Sequence, residues 1–416
     1  MNNVFISELT IEKVRHLKDI KIFLSTEQPK YLILTGKNGS GKTSVLEAMS
    51  RYLYSVATTA RLQESEKFLK INLDKLKALE DRAVEDKERL KTESSIKSYQ
   101  KELEQIKNGL SIVFNVSLEK FRYLFLNGQF ILAYYKAERI FKATIPKHVE
   151  KIELKDSYAI TETPRELFVK YLLDLKVTEA LARNKGNIEK ADAINKWFVK
   201  LQDLLRTIFD DASLELIFDE DNFNFTIKEM NREEFDFNSL SSGFAAVLDI
   251  VMDIIVRMEK NTNRSFDFNL PGIVLIDEIE THLHLEMQKT ILRLLASIFP
   301  NIQFIVSTHS PFILNSLENV VIYDLEKNLT VENGLADVPY SGIVEGYFDA
   351  NMMSTSLQEK YQRYKELVKK VVLTDNDFEE IAELEMYLNE IPDYLALNIT
   401  TEYQRLKMEL ESRRDI

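Results

Sequence analysis

A glycine-rich octapeptide near the start of the chain has the residue types and the spacing that bind phosphate groups. It is Gly36-Lys37-Asn38-Gly39-Ser40-Gly41-Lys42-Thr43. Its three glycines let backbone N–H groups turn inward toward phosphate oxygens without Cβ clashes. Lys42 can reach the β- and γ-phosphates, and the Thr43 hydroxyl can bind Mg²⁺. The octapeptide therefore predicts a Walker A loop that binds a nucleoside triphosphate.

The residues on either side of the octapeptide predict the elements that hold it. Residues 31–34 form an apolar, β-prone run, and a helix-prone stretch begins at Ser44. A strand, a loop and a helix in this order direct the positive end of the helix dipole at bound phosphate. We therefore include Ser44 with the octapeptide among the predicted nucleotide-binding residues.

Two adjacent carboxylates follow a second apolar run. Residues 273–276 read Ile-Val-Leu-Ile, and Asp277 and Glu278 come next. Such a run is typical of a strand that is covered on both faces of a parallel sheet. The strand would deliver Asp277 to Mg²⁺ and Glu278 to the water that attacks the γ-phosphate. We predict that Asp277 is a metal ligand, with Thr43, and that Glu278 is catalytic.

A histidine follows a third apolar run. Residues 304–307 lead through Thr308 to His309. A neutral imidazole at the end of a strand could donate a hydrogen bond to the γ-phosphate and respond to its loss. From the residue alone, a hydrogen-bonded structural histidine is an equally good interpretation.

A Leu-Ser-Ser-Gly sequence precedes the carboxylate motif. It consists of Leu240, Ser241, Ser242 and Gly243, and a helix-prone stretch follows at Ala245. Small residues at the start of a helix can form a second anion site. The alternative is a helix-capping serine followed by a flexible turn, and the spacing alone does not separate the two.

Taken in order, these four motifs resemble those of the ABC-type ATPase heads of SMC, RecF and OLD-like proteins. The resemblance extends from residue 1 to about residue 330. It implies an α/β fold in which a mixed sheet is flanked by helices, and a site that hydrolyses ATP with Mg²⁺.

The same resemblance implies roles for individual residues. Two heads would sandwich the nucleotides in a homodimer or higher homo-oligomer, with Ser241 and Gly243 reaching the γ-phosphate held by the other copy. His309 would be the switch histidine and would act in catalysis. Arg15 lies where relatives carry an arginine near the nucleotide. Residues 280–284 occupy the D-loop position, where related heads communicate between sites.

Two positions depart from the family pattern. Phe244 stands where relatives usually continue the signature with Gln or Glu, which weakens a polar role there. No Q-loop glutamine is clear either, because Gln129 precedes its strand and residues 135–139 fill the expected place. The second Mg²⁺ contact therefore stays open.

Composition restricts the class of protein. The chain has 416 residues, 45% of them hydrophobic, a formal net charge of −13 and no cysteine. Disulfides and cysteine-ligated metals are thereby excluded, and a surface coated for DNA binding is disfavoured. The first residues lack the pattern of a signal peptide, and no apolar run reaches the ~18 residues of a membrane span. We expect a cytoplasmic protein without membrane contact.

Changes in composition along the chain predict three parts. We expect an ABC-ATPase head from residues 1–60 and 111–345, beginning with a β meander over residues 4–34. Residues 61–110 are rich in Lys, Glu and Leu and predict an inserted antiparallel coiled-coil hairpin that turns at residues 92–95. A single surface helix is the alternative. Residues 346–416 predict a helical, partner-binding C-terminal segment.

The C-terminal segment carries apolar residues at helical spacing. They are Tyr361, Tyr364, Leu367, Val371, Leu384, Tyr387, Leu388, Ile391, Tyr394 and Leu395. These faces could pack on the head and cap its sheet, or they could dock a separate chain, since tyrosine suits interfaces. Thr374 and Asp377 predict a helix start, and Pro392 a break.

The architecture resembles that of ATPase subunits of bacterial antiphage systems such as Septu, retron-associated systems and PARIS. Only residues 312–416 follow the histidine motif, and they read as helices, so a nuclease on the same chain is not expected. The resemblance implies a regulatory ATPase with a separate effector nuclease of HNH or Toprim type. A RecF- or SMC-like DNA-binding ATPase in repair is the alternative, and the acidic composition disfavours it.

Overall fold

The computed structural model describes residues 4–80, 86–139, 141, 143–146, 148–230, 232–348, 354–390 and 397–412. Contacts divide the chain into two compact units, Met1–Val338 and Pro339–Ile416. The division falls slightly before the boundary at residue 345 that the sequence predicts.

The described part of the chain contains both strands and helices. The strands are β1 (Ile6–Val14), β2 (Leu17–Phe23), β3 (Tyr31–Thr35), β4 (Leu110–Phe114), β5 (Ile131–Tyr135), β6 (Glu215–Asp219), β7 (Asn224–Lys228), β8 (Phe235–Asp236), β9 (Gly272–Ile276), β10 (Ile302–Ser307), β11 (Val320–Asp324) and β12 (Leu329–Val331). The helices are α1 (Lys42–Thr58), α2 (Arg61–Glu80), α3 (Asp86–Lys107), α4 (Leu118–Leu126), α5 (Phe168–Asn184), α6 (Ile188–Phe209), α7 (Ser242–Glu259), α8 (Leu285–Ile298), α9 (Pro311–Leu314), α10 (Tyr340–Gly342), α11 (Thr355–Lys369), α12 (Asp375–Asn389) and α13 (Leu397–Glu411). A 3₁₀ turn at Pro164–Leu167 and a π turn at Ile343–Tyr347 complete them.

A six-stranded sheet forms the centre of the first unit. Its order is β12–β11–β3–β10–β9–β5, and every neighbouring pair is parallel except β11 with β12. Strands β5, β9, β10 and β11 are buried at every position. Continuous apolar strands of this kind need helices on both faces. The predicted α/β class, a mixed sheet flanked by helices, is confirmed.

The parallel arrangement brings the motifs to one edge of this sheet. The loop after β3, the carboxylates after β9 and the histidine after β10 all leave from carboxyl ends. Backbone hydrogen bonds link those ends, from Thr308 N to Leu34 O at 3.0 Å and from Ile279 N to Ser307 O at 3.1 Å. Residues from distant parts of the sequence therefore meet at one place.

The predicted β meander over residues 4–34 is wrong in its third strand. β1 and β2 are antiparallel and belong to a separate sheet of order β2–β1–β4, whereas β3 lies in the central sheet. The burial patterns explain the separation, because β2 alternates between buried and exposed positions and β3 is buried along its length after Tyr31. Gln303 joins the two sheets by accepting from Ile6 N at 2.8 Å and donating to Ile6 O at 3.1 Å.

Helices α2 and α3 form an antiparallel hairpin. Lys75 pairs with Glu88 at 2.8 Å, and the rings of Phe68 and Tyr99 stack at 5.7 Å, as two antiparallel helices require. The predicted turn at residues 92–95 is wrong, because these residues lie inside α3. Thr92 and Ser95 bond back to the carbonyls of Glu88 and Lys91, so their hydroxyls are satisfied within a helix. The two helices are separated in sequence by residues 81–85, which lie outside the described part.

In the second unit, helices α11, α12 and α13 share a core of their own. Residues of α11, α12 and α13 form one apolar cluster: Tyr361, Tyr364, Leu367, Val368, Ile381, Leu388, Tyr403, Leu406 and Leu410. Both sequence interpretations assigned the α11 tyrosines to contacts outside the segment, and both are wrong for Tyr361 and Tyr364, which are 3% and 0% exposed. Ile391, Pro392, Tyr394 and Leu395 lie outside the described residues.

The predicted helix start in this unit is confirmed. Thr374 caps α12 by accepting from Asp377 N, and the Asp377 carboxylate accepts from Thr374 N at 2.7 Å. This reciprocal capping box satisfies two of the N–H groups that a helix start leaves unpaired. Among the helices described, none is both long and apolar enough to span a bilayer.

Candidate functional site

The glycine-rich loop connects β3 directly to α1. Gly36, Gly39 and Gly41 have φ values of 129°, 83° and 102°, which are costly for residues with a Cβ. A Cβ at Gly41 would also lie 2.8 Å from the Leu17 side chain. The loop curls over the Lys42 ammonium, which donates to Gly36 O at 2.8 Å and to Lys37 O at 3.1 Å.

A cavity of 160 Å³ opens beside this loop. Four separate parts of the chain line it: the β1–β2 turn, the glycine-rich loop with the start of α1, the segment after β9, and the segment after β10. Its lining residues are Arg15, His16, Asn38, Gly39, Gly41, Lys42, Thr43, Ser44, Glu278 and His309. Most of the predicted nucleotide-site residues are thus brought together.

Other predicted residues lie next to this cavity rather than in its wall. Lys37 and Ser40 line an adjoining cavity of 550 Å³. The Lys37 ammonium contacts the Glu326 carboxylate at 2.8 Å. Gly36 is buried beneath the loop.

The Asp277 carboxylate is fixed by a serine on the neighbouring strand. Asp277 is 3% exposed and does not line the cavity, and its Oδ1 accepts from Ser307 Oγ at 2.5 Å. The same hydroxyl oxygen accepts from Glu278 N at 2.7 Å. Sequence reasoning did not identify Ser307, although it is the last residue of β10, opposite the carboxylate pair.

Glu278 has an unusual backbone conformation. Its φ is 44°, in the left-handed region that residues with a Cβ avoid. A residue held there costs of order 1–3 kcal/mol, and the surrounding structure must impose it. The side chain accepts from Thr281 Oγ1 at 3.4 Å and reaches the cavity wall.

Burial and charge set the protonation of the two basic groups in the cavity. Burial lowers the pKa of Lys42, and the carboxylates of Glu278 and Glu280 oppose that shift. Burial, together with the Lys42 ammonium, lowers the pKa of His309 from 6.5. His309 is therefore neutral at pH 7. Its Nε2 is buried and has no hydrogen-bond partner within the described residues.

Arg139 is the main site residue that sequence reasoning missed. It follows β5, is 3% exposed, and donates to three successive carbonyls, those of Asp277, Glu278 and Ile279, at 2.6, 2.9 and 3.2 Å. Burial lowers its pKa, and Asp249 is the strongest opposing influence. The available signal was a basic residue shortly after a buried strand, in the place where a Q-loop glutamine was sought.

The Leu-Ser-Ser-Gly sequence lies apart from the cavity of its own chain. Ser241 precedes α7, is exposed, and makes no side-chain capping bond. Gly243 packs against the 280–284 segment, so closely that a Cβ would lie 3.3 Å from His282 O. Phe244 stacks on Phe209, with ring centroids 4.2 Å apart. Neither Ser241 nor Gly243 lines the cavity.

The donor chemistry near the cavity fits Mg²⁺. This cation prefers hard oxygen ligands, such as a hydroxyl and a carboxylate combined with phosphate oxygens. Thr43 is an exposed residue that lines the cavity. The hydrogen bond from Ser307 engages Oδ1 of Asp277 and not Oδ2.

Comparison with known proteins adds independent information. The chain is 26% identical over 381 residues to a retron Vc95 probable ATPase of Vibrio cholerae, covering 76% of this chain and 73% of that protein. It is 26% identical over 323 residues to the Septu protein PtuA of Bacillus mycoides, covering 75% of this chain and 39% of that one. The chain is thus similar in sequence to a retron probable ATPase and to a Septu protein.

Two protein families match parts of the chain. Residues 5–109 match an "AAA domain", and residues 145–315 match a family described as "AAA domain, putative AbiEii toxin, Type IV TA system". Among solved structures, an Smc head bound to the C-terminal winged-helix domain of ScpA aligns with 80% of this chain and all of that one. The identity is 15% and the TM-score 0.39.

Proposed function

We propose that this chain is an ATP-hydrolysing regulatory subunit of an antiphage defence complex and that it controls a separate effector nuclease. The observation that carries the ATPase assignment is that Lys42, Thr43, Glu278 and His309 line the same cavity. The names of the retron and Septu relatives support the defence role. The chain spans 73% of one of these relatives and 39% of the other, so their wider activities are proposals here.

Nucleotide binding follows from the groups around the cavity. The N–H groups of the glycine-rich loop and the start of α1 would hold the phosphates. Lys42 would exchange its bonds to Gly36 O and Lys37 O for β- and γ-phosphate oxygens. Thr43 and Asp277 would hold Mg²⁺, which when bound neutralises charge on the phosphate oxygens.

Hydrolysis needs a base, and Glu278 supplies it. Its carboxylate accepts a proton from a water molecule whose oxygen bonds to the γ-phosphorus. The bond from that phosphorus to the β–γ bridging oxygen breaks, and ADP leaves with the electron pair. The neutral His309 directs its unpartnered Nε2 at a γ-phosphate oxygen and can register release of phosphate.

Two copies of the chain would complete the site. Ser241 and Gly243 lie away from the cavity of their own chain, and Ser241 is exposed without a capping bond. These features support a nucleotide-sandwich dimer in which Ser241 contacts the γ-phosphate bound by the other copy.

The ATPase assignment is tested by measuring ATP binding calorimetrically and phosphate release with the full chain and Mg²⁺. Replacing Lys42 by Ala removes a charged hydrogen-bond donor and should weaken ATP binding about 100-fold or more. Lys30→Ala, at the opposite end of β3, is the control and should bind normally. Equal ATP affinity in the two variants would contradict the assignment.

The dimer is tested with Ser241→Arg, which adds bulk and charge at the exposed start of α7. We expect ATP-dependent dimers to disappear in light scattering and turnover to fall at least about tenfold, with ATP affinity nearly unchanged. Ser297→Arg, an exposed serine on α8, is the control. Turnover that is independent of protein concentration in monomeric chains would contradict the sandwich.

The second unit is our proposed attachment point for the effector. Tyr361, Tyr364 and Tyr403 are occupied in its own core, whereas Val371 and Val372, between α11 and α12, are 80% and 73% exposed. A chain ending at Val338 should hydrolyse ATP within about twofold of the full rate and should no longer retain a nuclease in affinity purification. Retention of the nuclease by the shortened chain would move the attachment point to the head, where the α2–α3 hairpin is the next candidate.

The repair alternative makes a different prediction. A RecF-like clamp would bind duplex DNA with an affinity that falls steeply with salt, by the release of several counterions. Binding of that kind, with no nuclease retained, would replace the defence role while leaving the ATPase assignment intact.

A further inference from the structure

The hydrogen bonds from the Arg139 side chain to the segment that follows β9 and carries Glu278 all go to backbone carbonyls. Its Nη1 donates to Asp277 O at 2.6 Å and to Lys136 O at 3.0 Å, and its Nη2 donates to Glu278 O and Ile279 O. The guanidinium does not line the 160 Å³ cavity. Arg139 therefore does not reach this cavity itself, and its contacts with the segment that carries Glu278 are the hydrogen bonds to the carbonyls of residues 277–279.

Those three carbonyls would not converge on one group in an ordinary extended strand. Successive carbonyls of a strand point to opposite sides, whereas here the φ of 44° at Glu278 turns the chain sharply. On the other side, Ser307 Oγ accepts from Glu278 N at 2.7 Å. The guanidinium and the hydroxyl together hold the left-handed conformation from which the Glu278 side chain projects into the cavity.

A guanidinium is suited to this task and an ammonium is not. Arginine offers a rigid planar fork whose donors can serve several diverging acceptors, while lysine is a flexible point charge. The carboxylates of Asp249, Glu280, Asp277 and Glu278 surround the buried guanidinium and favour its charged form. Arg139 thus remains a cation while its hydrogen bonds go to carbonyls.

We propose that Arg139 is the positioning residue of Glu278, and that it fixes the carboxylate against the attacking water by holding the carbonyls of residues 277–279. This inference rests on the proposed ATPase function. It assigns a role to the segment in which no Q-loop glutamine was found.

The test replaces Arg139 by Lys in the full chain, which keeps the charge and most of the volume. A carboxylate displaced by a fraction of an ångström loses its alignment with the water, so kcat should fall about 10- to 100-fold. KM and ATP affinity should stay within about twofold, since Lys42 and Thr43 are untouched. Arg257→Lys is the matched control: Arg257 is also buried and also donates to backbone carbonyls, but to Leu132, Ala159 and Glu162. It should be destabilised to a similar degree and keep its kcat.

Two further measurements separate positioning from general damage. In the Glu278→Gln background, Arg139→Lys should cause little additional loss of turnover, because the group it positions is already inactive. Amide hydrogen exchange without nucleotide should speed up several-fold in residues 277–283 and stay unchanged in residues 36–44. The exchange readout does not depend on hydrolysis.

The outcomes distinguish this inference from the proposed function. Normal kcat in Arg139→Lys, or an equal proportional loss in the Glu278→Gln background, would overturn the positioning role while the ATPase stands. Unchanged exchange in residues 277–283 would also overturn it. Absence of turnover in the unmodified chain would refute the ATPase assignment, and the positioning of a catalytic Glu278 with it.

Discussion

Two buried arginines lie near the strand β5 and differ in how completely they are paired. Arg257 donates from Nε to Asp253 at 2.6 Å and from its two Nη atoms to three carbonyls. Arg139 donates from its Nη atoms to carbonyls only, and its Nε is buried without a partner among the residues described. We call the surroundings of Arg257 the closed network, because its Nε and both Nη atoms have acceptors. We call the surroundings of Arg139 the incomplete region, because its buried Nε has no partner among the described residues.

Other buried polar atoms near the cavity also have no hydrogen-bond partner among the described residues. Among them are Thr35 Oγ1, Ser40 Oγ, Glu280 Oε2 and His309 Nε2. More than about 90% of buried polar groups in folded proteins are paired, so a cluster of exceptions needs a reason. By contrast, Asp253 accepts from Tyr135, Arg165 and Arg257. The difference is consistent with the proposed nucleotide site beside the first region, while the second region is paired by the protein itself.

The largest effect should come from Glu278→Gln in the incomplete region. The amide cannot accept the proton of water, so turnover should fall by about 100-fold or more while ATP binding persists. Because the side chain is only half-buried, the melting temperature should change by little. Phosphate release, calorimetric ATP binding and thermal melting measure the three quantities.

Glu286→Gln provides the control for this change. Glu286 is 76% exposed in its side chain and pairs with Lys289 on α8, so the same chemical substitution should leave turnover and stability unchanged. Normal turnover in Glu278→Gln would show that Glu278 is not the base and would remove the expected difference between the two regions.

Asp253→Asn, in the closed network, should lower the stability of the protein and leave its ATP affinity unchanged. This change leaves the buried Arg257 guanidinium without its charge partner, and breaking such a pair costs about 3–5 kcal/mol of unfolding free energy. ATP affinity should be retained below the new melting point, because Asp253 does not line the cavity. Urea unfolding and ATP titration measure both, with the exposed pair Asp203–Arg206 as a control through Asp203→Asn. A large loss of ATP affinity with little loss of stability would show that the network serves the site.

The sequence alone was sufficient to predict those site residues that belong to local motifs. The glycine-rich loop, Asp277, Glu278 and His309 follow apolar runs, and parallel strands must bring such ends to one edge. The turn of the α2–α3 hairpin was misplaced, because Thr92 and Ser95 look like turn residues until their bonds to the preceding helical turn are known.

Other features depended on tertiary contacts that no local pattern reveals. Arg139, which follows β5, and Ser307, the last residue of β10, contact Glu278 across 139 and 29 positions of sequence. The tyrosines of α11 have the spacing of an apolar helix face, but spacing does not say what covers the face. Here α12 and α13 cover it, with Tyr364 bonded to Glu385 at 2.9 Å.

Asp249 interacts with both regions, and its titration tests whether it is paired as completely as the closed network. It is fully buried on α7, forms an ion pair with Arg165, and interacts with Asp253 and Arg139. Burial, reinforced by the Asp253 charge, raises the pKa of Asp249 to about 6, against the opposing effects of Arg165 and Arg139. The folded state therefore binds a proton that the unfolded state has already lost between about pH 4 and pH 6.

The sign of the pH dependence follows from this difference. Because the folded-state pKa lies above the unfolded value, the contribution of Asp249 to stability is full below pH 4 and is lost as the pH rises through 6. The loss is roughly 2–3 kcal/mol for a shift of this size. Asp249→Asn cannot ionise, so its stability relative to the unmodified chain should improve by about 2 kcal/mol between pH 4.5 and pH 7.5. Urea unfolding of both proteins across this range measures the difference. A stability difference between the two proteins that does not vary with pH would mean that Asp249 is already ionised at pH 4.5, because Arg165 and Arg139 stabilise its charge. The closed network would then include Arg139.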